Sequence, residues 1–247
     1  MADFLTTAQG RRIAFHLTQG QGPGVVFLGG FRSDMTGTKA LYLQDRAERA
    51  GRGFLRFDYS GHGQSSGKFE DGAIGDWFQD ALAVLALTDG PQVLVGSSMG
   101  GWIALLLARA LPERIAGLVG IAAAPDFTED MSAGFSAAQR AALQDQGCVV
   151  MPSDYAQAGY VITRRLIEEG RDRLVLRAPL DLPFPVRLLH GSADTDVPVS
   201  VALRLIDHAT APDMRLVLSK GADHRFSSPE CLKMISGAVD EVIETHG

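Results

Sequence analysis

The sequence predicts an α/β protein: a mostly parallel eight-stranded sheet with helices on both faces and a small helical lid. Three observations carry this. Short apolar runs alternate with segments of helical period along most of the chain, the pattern of strands buried on both faces and joined by crossover helices. The 247 residues, 46% hydrophobic and 21% charged, are enough to bury a large core. The pentapeptide Gly96-Ser97-Ser98-Met99-Gly100 lies between one apolar run and one helical segment. Strand, turn and helix is the context in which G-x-S-x-G forms a nucleophile elbow.

Taken in order, residues 4–7 and 12–17 read as an antiparallel hairpin around Gly10, and residues 20–24 as a turn. Residues 25–28 are a buried strand that ends in Gly29-Gly30-Phe31. Residues 35–50 have helical period, stopped by Gly51 and Gly53. Strand 54–57 runs into Asp58-Tyr59-Ser60-Gly61-His62-Gly63-Gln64-Ser65, and a helix over 74–88 turns Trp77, Ala81, Val84 and Leu85 inward. The strand at 91–95 and the elbow follow, then a strand at 115–121. The rhythm breaks over 124–181, where helical pieces at 136–146 and 156–169 flank an irregular 147–152. An insertion of that length after one strand predicts a lid within a single domain spanning 1–247. A strand at 184–189, a helix at 199–208, a strand at 214–218 and a helix at 229–245 complete the chain.

A net charge of −6 argues against nucleic acid and anionic membrane as main partners. Two distant cysteines, Cys148 and Cys231, suit a reducing compartment. No apolar stretch has the length of a membrane span. The first residues carry neither a basic-then-apolar leader nor an Arg- and Ser-rich transit pattern, so a cytoplasmic location is expected. With no metal-ligand cluster and no dinucleotide fingerprint, no cofactor is expected.

A serine hydroxyl needs a base within reach and the base needs an orienting group. His190-Gly191-Ser192-Ala193-Asp194 places Asp194 on the loop after one predicted strand, and Gly221-Ala222-Asp223-His224 places His224 on the loop after the last. Catalytic groups in such sheets gather at the carboxyl ends of the strands. Ser98, Asp194 and His224 are therefore the candidate nucleophile, orienting acid and base. Asp196 and Asp126 are rival acids; Asp223 is read as a surface or loop-bracing residue, His190 as bracing the loop that presents Asp194, and His16, His208 and His246 as surface residues. His62 is read as structural, with a place in the pocket wall as the other reading. A tetrahedral intermediate also needs two backbone donors. Met99 N–H after the elbow and Phe31 N–H in the glycine turn are the candidates for that oxyanion hole.

Together these segments resemble the α/β-hydrolase fold over the whole chain. The chain departs from the pattern at Gly29, where many members have His before Gly, which bears on how the oxyanion turn is braced. Thr36-Gly37-Thr38-Lys39-Ala40-Leu41, the stretches 56–61 and 90–102, Met151-Pro152-Ser153 and the stretch 187–191 resemble more closely a subgroup of abhydrolase-domain S-depalmitoylases and acyl-glucuronide esterases with mitochondrial members. The resemblance implies a small-molecule acyl ester or thioester, or an S-acylated protein, as substrate, and a bacterial cytoplasmic relative. Phe127, Phe135, Met151, Tyr155 and Tyr160 offer apolar lid surface, either above the site or as the lid's own small core. Two alternatives use the same fold: a hydrolase of carbon–carbon bonds in aromatic ring-cleavage products, and a hydrolase-fold ligand receptor.

Overall fold

The computed structural model describes residues 2–152 and 159–246. A central sheet holds eight strands, β1 (Asp3–Thr6), β2 (Arg12–Thr18), β3 (Gln21–Leu28), β4 (Arg52–Phe57), β5 (Gln92–Ser97), β6 (Ile115–Ile121), and, after an insertion bearing three short strands, β10 (Val186–Gly191) and β12 (Met214–Ser219). Their order is β1-β2-β4-β3-β5-β6-β10-β12. β1 and β2 pair antiparallel with each other, and β2 pairs antiparallel with β4; the other pairings are parallel.

The strands are apolar on both faces because both are covered. Along β3, Val25 and Phe27 face α1 (Thr38–Arg49) and α8 (Pro229–His246), whereas Val26 and Leu28 join the core beneath α2 (Ile74–Leu85) and α3 (Met99–Ala110). α3 is buried from Met99 through Ala108, so its amphipathic signal is weak and its apolar length strong. Among the described residues, no helix is long and apolar enough to cross a membrane.

Three expectations are corrected. Residues 20–24 do not form a separate turn. Gln21 already pairs with Arg52, and a register shift between Gln21 and Val25 carries the strand on. A Cβ at Gly20 would strike the backbone of Arg52 and Gly53, so the glycine permits close strand approach there. Residues 147–152 are not irregular: β7 (Cys148–Met151) pairs antiparallel with β8 (Tyr160–Thr163), setting β-branched Val149 opposite Ile162 and Val150 opposite Val161. The expected helix over 156–169 begins only at Arg164, where Thr163 Oγ1 accepts the Leu166 N–H at 3.1 Å and α6 (Arg164–Arg171) starts. The first residues of that expected helix, and Ser153 and Tyr155, lie outside the described residues.

Before β7 come α4 (Phe127–Ala133) and α5 (Ala137–Asp145), the latter closed by a capping box between Ser136 and Gln139. The two-residue strands β9 (Leu180–Asp181) and β11 (Ala209–Thr210) pair beside α7 (Val199–His208). The insertion is tied to the body at α6: Glu169 accepts the Gly75 N–H at 2.8 Å, and Arg165 pairs with Asp76 at 2.6 Å.

Candidate active site

The strand order explains the site. β3 and β5 are neighbours, so the turn after β3 and the elbow after β5 meet; β10 and β12 are neighbours, so the loops bearing Asp194 and His224 meet beside them. All four segments leave the carboxyl end of the parallel strands.

Ser98 has φ 54° and ψ −119°, a left-handed backbone that a non-glycine residue holds only at a cost of about 1–3 kcal/mol. Its surroundings over-determine it. Ser98 N–H donates to Ile121 O at 2.9 Å, and Ser98 O accepts from Gly101 N at 2.9 Å and Ala124 N at 3.1 Å. A Cβ on Gly96 would overlap Gly100, and one on Gly100 would overlap the Leu28 carbonyl. The motif glycines are thus dictated by backbone packing.

The His224 imidazole bridges the other two groups. Its Nε2 lies 3.1 Å from Ser98 Oγ and its Nδ1 2.9 Å from Asp194 Oδ2. The Asp194 carboxylate has no exposed side-chain surface. Burial pushes its pKa up. The hydrogen bond from His224 and the N–H groups of Val197 and Asp196 outweigh that and hold it below the ordinary carboxylate range. An ionised Asp194 requires its partner, Nδ1 of His224, to carry the proton, which leaves Nε2 free to accept from Ser98.

The rival residues have other partners. Asp126 accepts the N–H groups of Val175 at 2.9 Å and Leu176 at 3.0 Å and so ties the last part of the insertion back to its start at α4. Asp196 is exposed and lends its backbone N–H to Asp194. Asp223 accepts the Phe226 N–H at 3.1 Å within its own loop. His190 is buried, with Nε2 2.8 Å from Val197 O and 3.4 Å from Asp194 Oδ2, bracing the Asp194 loop. Asp194, Asp196 and His224 bring one possible ligand atom each to within 4.8 Å of one another, and two of these three residues are hydrogen-bonded to each other.

Met99 opens α3, so its N–H belongs to the helix's first turn, where amides have no acceptor inside the helix. Gly30 lies against the elbow: a Cβ there would be 3.4 Å from that of Ser98. Phe31 follows and its ring sits edge-on to Phe69, Trp77, Phe127 and Tyr160 at centroid separations of 4.6–6.0 Å. Of the expected lid aromatics, Phe127 and Tyr160 reach this cluster, whereas Phe135 is buried in the core.

A cavity of about 290 Å³ opens beside Ser98 and His224. Besides Phe31 and Tyr160 its wall includes Lys39, Thr38 and Arg225, none of them anticipated in the sequence. Lys39 Nζ donates to Arg225 O, and burial lowers the ammonium pKa to about 8 against the pull of Asp223. Thr38 and Lys39 stood in the sequence only as part of the phrase 36–41 that carries the subgroup resemblance, with no site role given to them, and Arg225 only as the residue after His224. The cysteines Cys148 and Cys231 are both free.

Residues 25–244 match the sequence profile of the alpha/beta hydrolase family. The human "Palmitoyl-protein thioesterase ABHD10, mitochondrial" is 34% identical over 243 residues, 98% of this chain and 79% of that protein. The mouse alpha/beta hydrolase domain-containing protein 10 superposes with a TM-score of 0.94 at 33% identity, covering 100% of both chains. A protein from Agrobacterium vitis S4, described by its crystallographers as a candidate hydrolase, superposes with a TM-score of 0.94 at 42% identity over 98% of each chain. The mitochondrial naming of relatives this similar overturns the cytoplasmic expectation.

Proposed function

The chain belongs to the alpha/beta hydrolase family, and from that membership we propose that Ser98, His224 and Asp194 form its catalytic relay, with Phe31 N–H and Met99 N–H as the oxyanion donors. The protein is a hydrolase of carboxylic ester or thioester bonds. The observation that carries the residue assignment is the His224 imidazole, held between Asp194 Oδ2 at 2.9 Å and Ser98 Oγ at 3.1 Å.

In the proposed reaction His224 Nε2 takes the Ser98 proton as Oγ attacks the acyl carbon. The carbonyl oxygen becomes an oxyanion facing the two amides, whose stabilisation exists before the charge develops. Asp194 keeps the His224 tautomer and offsets the imidazolium charge. Collapse expels the thiol or alcohol, which takes the proton from His224 and leaves acyl-Ser98. Water, deprotonated by His224, then attacks the acyl carbon; the carboxylic acid leaves and the proton returns to Ser98.

For substrate we propose a long-chain acyl thioester, including one on a protein cysteine. Supporting this are the palmitoyl-protein thioesterase name of the relatives and the ring cluster of Phe31, Phe127, Tyr160 and Trp102 beside the nucleophile. Residues 124–181 act as the lid over the strand ends, within a single domain. The carbon–carbon hydrolase and receptor readings draw no support from relatives named as thioesterases. The test is hydrolysis of p-nitrophenyl esters and acyl-CoA thioesters of increasing chain length, with an acyl glucuronide alongside. The reading predicts thioester turnover that rises with chain length and vanishes in Ser98→Ala. Turnover of a dienoate ring-cleavage product alone would overturn it.

A further inference from the structure

In this chain residue 29 is glycine, and its Cβ, were there one, would lie 2.9 Å from Ser33 Oγ. The bracing of the oxyanion turn therefore has to come from elsewhere, and two residues supply it. Ser33 N–H and Ser33 Oγ both donate to Gly30 O, at 3.1 and 2.8 Å. Gly30 C=O and Phe31 N–H belong to one planar trans peptide, so pinning the carbonyl on one side fixes the amide on the other. The next peptide is held from the loop after β4. Arg32 N–H donates to His62 Nε2 at 3.3 Å, and Arg32 has φ 56°.

The ring of His62 is assigned by its partners rather than by its environment. A backbone N–H can only donate, so Nε2 must be the bare acceptor. On the other side Nδ1 faces the Ser60 carbonyl at 3.1 Å, which can only accept, so Nδ1 must carry the proton. That carbonyl also accepts from Trp77 Nε1 at 3.1 Å. Ser60 is in turn fixed by the fully buried Asp80, whose Oδ2 accepts both Ser60 N–H at 2.9 Å and Ser60 Oγ–H at 2.6 Å, while Oδ1 pairs with Arg11 Nε at 2.7 Å. The rings of Tyr59, Phe69 and Trp77 close around the imidazole at centroid separations of 5.1–5.6 Å. A continuous hydrogen-bonded chain thus runs from Asp80 in α2, through Ser60 and His62, to the peptide next to the oxyanion donor.

We propose that His62, in its neutral Nδ1-protonated form, is a positioning residue for the Phe31 oxyanion donor, acting with Ser33 in place of a histidine at position 29. This rests on the reading of Ser98 as nucleophile and Phe31 N–H as donor. The bonds described hold backbone peptides and leave the Phe31 ring in its cluster untouched, so the effect is expected on the developing oxyanion, in kcat more than in KM. Burial holds His62 down at about pKa 4, which keeps Nε2 bare across the neutral range.

The experiment compares His62→Gln, His62→Asn and Ser33→Ala with wild type on a p-nitrophenyl ester, alongside the affinity of an alkyl boronic acid that mimics the tetrahedral adduct. Glutamine can place an acceptor where Nε2 stands; asparagine reaches only the Nδ1 position and keeps the bond to Ser60. The expected result is near-wild-type kcat for His62→Gln, and a kcat lower by about 10- to 100-fold for His62→Asn and Ser33→Ala with KM within about twofold. Boronate affinity falls by the same factor as kcat/KM. Equal behaviour of the Gln and Asn variants, or losses confined to KM or melting temperature, would overturn the proposal. If both His62 variants fail to fold, an unchanged kcat in Ser33→Ala does the same. A wild-type protein without ester turnover or serine labelling would instead sink the underlying assignment of Ser98.

Discussion

Val197 N–H donates to Asp194 Oδ1 at 2.8 Å, so one oxygen of that carboxylate is held by its own loop while the other faces His224. The division makes Asp194 a fixed strut. Asp194→Asn keeps the size of the side chain but replaces the anion with an amide that can favour the wrong His224 tautomer. It is expected to lower kcat about 10⁴-fold with folding intact. Asp196→Asn leaves the backbone N–H that Asp194 uses in place, and kcat should change less than about threefold. Steady-state kinetics on one ester with both variants checks the pair, and the reverse ranking would make Asp196 the acid.

Asp126 has a different job. Its two oxygens accept the Val175 and Leu176 amides. Asp126→Ala leaves two donors without partners and is expected to lower stability by about 2–4 kcal/mol while leaving kcat/KM of the folded fraction within about threefold. Urea unfolding with parallel kinetics reads both numbers.

Gly100 stands where any side chain would run into the Leu28 carbonyl and crowd Gly29 O. Gly100→Ala would have to push β3 away from α3, and the displaced segment carries the oxyanion turn. We expect loss of soluble folded protein or, where it folds, a destabilisation of several kcal/mol and a kcat reduced at least 100-fold. Gly221→Ala is the control for glycine replacement as such: nothing lies within 4 Å of its Cβ position, and its φ of +77° predicts only a modest backbone penalty.

The buried His62 also sets an acid sensitivity. Its pKa falls from 6.5 to about 4 because burial disfavours the charged ring, with Arg32, itself paired to Glu70, the charged neighbour adding to it. Between those values the unfolded chain binds a proton that the folded chain refuses, so stability falls as pH drops through the window. The contribution amounts to about 2–3 kcal/mol between pH 7 and pH 4.5. Chemical denaturation at both pH values should show wild type losing that much more than His62→Gln; equal losses would mean His62 is not the group that titrates.

Most of the sheet and the polar centre of the site were legible because they rest on short-range rules. A strand buried on both faces shows as an unbroken apolar run, as in Ile115–Ile121, and the elbow shows because Gly96 and Gly100 are compelled by backbone contact. The placement of Asp194 and His224 followed from their positions after strands. The β7–β8 pair was hidden because four-residue strands are too short to display a period, and its partner strand follows residues with helical composition. Lys39 and the His62 bridge were hidden for another reason: their partners, Arg225 and Arg32, are 186 and 30 residues away in sequence, and nothing local announces such pairings.

The central claim is that Ser98 is the nucleophile. Folded protein treated with a fluorophosphonate probe, digested and mapped by mass spectrometry should carry the adduct on Ser98, and Ser98→Ala should lose both the adduct and acyl-thioester hydrolysis. Adduct formation at another residue, or thioester turnover that survives in Ser98→Ala, would contradict it.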